Sequence, residues 1–182
     1  MTLRVLLQYF AQLWGKKPMP TMSVGKTAPT FDLATTTGER LSLPKALAGG
    51  PVLLAFFKVA CPTCQFTFPF LERIHQQLRG QGVQFWGVVQ DKAQDGTRFA
   101  ATYGVTFPIL VDDAPYKVSR LYNLEHVPSL FLIKPDGHIA ISSEGFCKAD
   151  LLAIQRSLAQ LLSATPPALF LPTEKVPEYK PG

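Results

Sequence analysis

The sequence predicts an α/β fold, with a mixed central sheet sandwiched between helices. Three observations predict it. Short runs rich in Val, Leu, Ile and Phe alternate with amphipathic stretches of helical length through most of the chain. Near the end, Pro135-Asp136-Gly137 separates two adjacent apolar runs, which adds an antiparallel hairpin. Two cysteines, Cys61 and Cys64, fall where a strand gives way to a helix, at the carboxyl edge of such a sheet, where active sites collect.

The elements follow in order. Leu3, Leu6, Leu7, Phe10, Leu13 and Trp14 share one helical face. Segment 1–23 is therefore expected to be an amphipathic helix, docked on the domain or a neighbouring subunit, and a linker carrying Pro18 and Pro20. Gln8 and Gln12 interrupt the apolar run and no small-x-small cleavage site follows. The run is too short and polar to cross a bilayer. A cytoplasmic location is the expectation, with periplasmic and membrane-peripheral locations as alternatives; membrane contact through this helix is the weaker reading. The globular domain is expected over 24–164. It opens with a hairpin around Gly38 and continues with a strand at 51–57 and a helix after Cys61. A buried strand at 83–89 and a helix at 91–103 closed by Gly104 come next. A short strand at 107–111, a short helix at 114–122, the hairpin 129–133 and 138–142, and a helix at 150–162 complete it. From Thr165 on, Pro166, Pro167, Pro172, Pro177 and Pro181 predict an extended or disordered tail, 165–182.

Composition narrows the function. The 182 residues are 47% hydrophobic and 17% charged, which excludes global disorder and allows a sizeable core. A net charge of +5, with no Lys/Arg block beyond Lys16-Lys17, gives no footprint for nucleic-acid binding. Three cysteines are too few for a disulfide scaffold, so their placement suggests chemistry.

Cys61-Pro62-Thr63-Cys64 carries that chemistry. A cysteine at a helix N-terminus meets unpaired N–H groups and the positive end of the dipole, both of which favour a thiolate. Pro62 suits the first helical position, where an N–H would have no partner. Cys64, one turn on, is close enough to form or resolve a disulfide. Structural zinc or an iron–sulfur cluster would need further ligands. Only Cys147 and the scattered His75, His126 and His138 remain, so neither metal nor cofactor is expected.

These motifs resemble the thioredoxin fold in its redoxin branch. That branch includes TlpA/ResA-type thiol–disulfide oxidoreductases and the alkyl hydroperoxide reductase/thiol-specific antioxidant proteins. The likeness runs from about 24 to 162. It rests on Val24, Gly25, Ala28, Pro29, Phe31 and Leu33 at the opening, on the CxxC, on Pro69 as a helix-kinking proline, on the stretch 103–112, and on 122–133. The resemblance implies a thioredoxin-like three-layer sandwich. It implies a cis-proline at Pro128, in a loop that faces the CxxC and exposes the backbone of Val127 to an extended substrate. Departures are visible. Ala60 stands where thioredoxins have tryptophan, and Ala55 and Thr67 stand where relatives place an acid. Lys58 is close enough in sequence to lower the Cys61 pKa, and Thr63 can donate one hydroxyl bond to a thiolate. Lys58 and Leu54 replace the threonine and proline that shape a peroxidatic pocket.

The expected function is thiol–disulfide exchange on protein or small-molecule disulfides, with Cys61 attacking and Cys64 resolving. An electron donor is required that the sequence does not name. The alternative is a thiol peroxidase with Cys61 peroxidatic and Cys64 resolving. A third reading is a redox-regulated binding module using the N-terminal helix and the tail. Cys147, in Gly145-Phe146-Cys147-Lys148, is either a relay or an ordinary surface thiol.

Overall fold

The computed structural model describes residues 21–182. The expected amphipathic helix and most of its linker lie outside the described residues. The first elements are the hairpin of β1 (Asp32–Ala34) and β2 (Arg40–Ser42), paired antiparallel, and the short helix α1 (Leu43–Leu47). The predicted turn at Gly38 has φ +91, a conformation that glycine adopts without steric cost. Then come β3 (Val52–Phe57), α2 (Pro62–Gln77), β4 (Gln84–Val89) and α3 (Ala93–Tyr103). Next are β5 (Ile109–Val111), α4 (Lys117–Leu121), β6 (Ser129–Ile133) and β7 (Ile139–Glu144). The chain closes with β8 (Phe146–Cys147), α5 (Lys148–Leu161) and β9 (Tyr179–Lys180).

The sheet runs in the order β5-β4-β3-β6-β7. β3 pairs parallel with β4 and antiparallel with β6, so the sheet is mixed, as expected. All six residues of β3 are buried, as a central strand covered on both faces requires. Its side chains alternate between two cores. Leu53, Ala55 and Phe57 pack with Phe68, Leu71 and Ile74 of α2, Phe99 of α3, and Leu151, Ile154 and Leu158 of α5. Val52, Leu54 and Phe56 pack on the other face with Phe31, Leu43, Trp86, Val118, Tyr122 and Phe131. The three layers meet along this one strand, and its end delivers the chain to Cys61.

Of the two forms expected for the tail, extended or disordered, the structure shows the extended one: the segment is mostly without regular structure, and it is packed on the domain. Leu169 is 1% exposed, and Phe70, Phe146 and Phe170 gather within about 6 Å of one another by ring centroid. Arg73 of α2 binds the Leu169 carbonyl at 2.6 Å and holds Glu174 through a two-pronged ion pair at 2.7 and 2.9 Å. β9 then pairs antiparallel with β8. Proline does keep most of the segment out of regular structure, but apolar anchors and one guanidinium bind it to the domain. The signal was present in Leu169 and Phe170; a proline count does not register it.

Candidate active site

The site is built where β3 ends. Lys58, Val59 and Ala60 turn the chain, and the turn is tied three times, once by the Gln65 side-chain N–H donating to Val59 O at 2.9 Å. Cys61 N donates to Lys58 O at 3.2 Å, and Val59 N donates to a carboxylate oxygen of Asp91 at 2.8 Å. Asp91 lies two residues beyond β4, so the neighbouring parallel strand supplies the brace. Sequence reasoning assigned Asp91 no part in the site. Its position just past a strand on the carboxyl edge was the available signal.

Cys61 is the N-cap of α2, with extended backbone (φ −77, ψ 115), and Pro62 opens the first turn as predicted. The Cys61 sulfur accepts the Cys64 N–H at 3.2 Å, so it satisfies one of the donors a helix start leaves open. Its S–H donates to the Val127 carbonyl at 3.3 Å. Cys61 is half-buried while Cys64 is fully buried, and all three cysteines are unbridged. Burial first, and then the hydrogen bond to Cys61, push the Cys64 thiol well above its ordinary range. The two thiols of one motif are therefore chemically unequal: one can be reached, and the other is held back and protonated.

The Val127–Pro128 bond is cis, Pro128 is buried, and the carbonyl before it faces the Cys61 sulfur. Ala114–Pro115 is also cis, which nothing in the sequence foretold. Pro69 lies inside α2, which runs on continuously through it. Thr67 is fully buried and turns its hydroxyl back to Thr63 O at 2.7 Å.

Two expectations take a different form. The Thr63 hydroxyl donates to Pro181 O at 2.6 Å, so the tail receives the hydrogen bond expected to go to a thiolate. The exposed Lys58 places its ammonium 5.6 Å from the centre of the Tyr116 ring, and its backbone carbonyl is the group that binds Cys61. Cys147 caps α5 and is paired through its backbone with Tyr179. Sequence reasoning also gave the last tail residues no place here. They had no detectable signal, because their partners are 118 positions away for Thr63 and Pro181.

Among the described residues, no helix is long and apolar enough to cross a membrane. No group of three or more His, Cys, Asp or Glu among them is placed to hold a metal ion.

Comparison with known proteins converges on the same chemistry. A family model described as the AhpC/TSA family matches residues 24–142. The thiol–disulfide oxidoreductase ResA of Bacillus subtilis is 32% identical over 132 residues, covering 72% of this chain and 71% of its own length. A crystal structure described as a candidate thiol:disulfide interchange protein DsbE from Chlorobium tepidum superposes with a TM-score of 0.69 at 28% identity. That match covers 78% of this chain and 99% of the other. A candidate bcp peroxiredoxin from Coxiella burnetii matches only half of this chain, at 33% identity over 93 residues. Neither the structure nor these relatives support the expected cytoplasmic location.

Proposed function

The chain belongs to the AhpC/TSA family and is a thiol–disulfide oxidoreductase, and we propose that Cys61 is its attacking thiol and Cys64 its resolving thiol. One observation carries the assignment. The half-buried Cys61 sulfur sits on the open N-terminus of α2, and the fully buried Cys64 waits one turn behind it.

The reaction on a disulfide substrate then runs in two exchanges. Cys61 thiolate attacks one sulfur of the substrate disulfide. The S–S bond breaks, a mixed disulfide forms, and the other substrate sulfur leaves as thiolate. Cys64 loses its proton and attacks the Cys61 sulfur. The second substrate thiolate leaves, and the Cys61–Cys64 disulfide remains. The substrate gains two electrons and two protons; the dithiol loses both. An external thiol donor resets the enzyme by the reverse exchange. Each chain group has a local task. The Cys64 N–H holds the Cys61 sulfur at the open N-terminus of α2. Asp91 holds the turn that aims it, and Pro128 shapes the wall that a substrate meets.

The test uses two variants, read by insulin reduction with dithiothreitol as donor and by mass mapping of trapped adducts. Cys61→Ser is expected to abolish turnover. Cys64→Ser is expected to accumulate mixed disulfides on Cys61. Equal residual turnover in both variants would overturn the assignment.

A further inference from the structure

Thr63, between the two cysteines, is only 7% exposed, because residues 178–182 lie across the site. Pro181 O accepts the Thr63 hydroxyl at 2.6 Å. A Cβ placed on Gly182 would lie 2.6 Å from Val127 O, the same carbonyl that receives the Cys61 S–H. A Cβ on Gly145 would lie 2.5 Å from Lys180 O. Lys180 and Tyr179 pair antiparallel with Phe146 and Cys147, and Lys148 N donates to Glu178 O at 2.9 Å. The Lys180 ammonium rests 5.2 Å from the centre of the Phe66 ring on α2. The segment is thus an extended strand, bound mainly through backbone, and seated against Thr63, Val127 and β8 at once.

Resting on the oxidoreductase reading above, we propose that residues 178–182 are a built-in occupant of the groove that takes an extended polypeptide bearing the substrate disulfide. A polypeptide substrate enters by displacing this strand and pairing with β8 in its place. A small disulfide needs only the Cys61 sulfur, which is half-buried with the strand in position. The strand therefore discriminates by substrate size: it lowers the apparent affinity for polypeptides by the fraction of molecules in which the groove is open.

Three proteins test this: the full chain, a chain ending at Pro177, and the full chain with Gly182→Ala, whose methyl group would meet Val127 O. Each is assayed with insulin and with glutathione disulfide, using dithiothreitol as donor. Shortening is expected to raise kcat/KM for insulin about tenfold, as an open fraction near one tenth implies, and to change glutathione disulfide less than about twofold. Gly182→Ala is expected to shift insulin turnover the same way. A synthetic peptide of residues 174–182, added to the shortened chain, is expected to restore slow insulin turnover and to move the backbone amide signals of Thr63, Val127 and Cys147. Unchanged insulin turnover on shortening, or an equal gain for both substrates, overturns the proposal. If no variant turns over either disulfide, the oxidoreductase reading fails. The peptide then decides the docking alone: signals that move at those three residues sustain it, and signals that stay still overturn it.

Discussion

Cys64 is out of reach of solvent, and its thiol is pushed up chiefly by burial, with the hydrogen bond to Cys61 adding to it. When Cys61 is engaged in a mixed disulfide, burial remains. A raised thiol is mostly protonated at neutral pH, and each unit of pH below its pKa leaves about tenfold less thiolate. Resolution of a preformed mixed disulfide is therefore expected to accelerate with pH between 7 and 10, by up to about tenfold per unit, as stopped-flow release of the second thiol will record. A flat profile would mean that Cys64 is not the resolving group. Peroxide offers a second residue-scale test. Leu54 is buried in β3 facing the core opposite α2, and the Lys58 ammonium lies over Tyr116. Neither supplies the fixed donor that a breaking O–O bond requires. Hydrogen peroxide is expected to consume reduced Cys61 far more slowly than glutathione disulfide does at matched concentration and pH. The reverse order would favour the peroxidase reading.

Among the elements, the tail is where a local charge has a visible structural task. The Arg73 guanidinium, followed by the Leu171 N–H, holds the Glu174 carboxyl down at about 2, from an ordinary 4.5. The carboxylate form is thus the one that binds the folded chain. Its contribution is present above about 4.5 and is lost as pH falls toward about 2. Glu174→Gln is expected to lower Tm at pH 7 and to speed amide exchange of Leu171. The gap from the natural chain should close as both are acidified to about pH 2. A gap that persists there would show that packing of Leu169 and Phe170, and not charge, carries the anchor. The helix bearing the dithiol also contributes the guanidinium that ties the tail, so α2 links site and strap.

For the molecule as a whole, β3 is the shared spine. Phe57 is fully buried and its ring lies 4.4 Å from Phe68 and 4.6 Å from Phe99. Phe57→Ala is expected to destabilise the fold by about 3–5 kcal/mol in urea unfolding. A loss below about 1 kcal/mol would mean that the layer collapses into the space. The order of strands and helices and the place of the dithiol were legible in sequence, because strand runs have a two-residue period and the CxxC is local. Boundaries moved by a few residues: β5 starts at Ile109 and not 107, and α4 at Lys117 and not 114. The helix α1 was missed, since Pro44 and only five residues give no periodic signal. The brace from Asp91 and the strap at Thr63 were not legible, because each depends on a contact between distant positions that no local pattern encodes.

The inequality between the two thiols has a consequence for how the protein meets others. Only one sulfur of the pair can be grasped from outside, so through its dithiol the molecule is monovalent. It can hold one partner covalently at a time, by a single thread, and cannot bridge two. Every covalent encounter must therefore end either by release of that partner or by retreat to the starting pair.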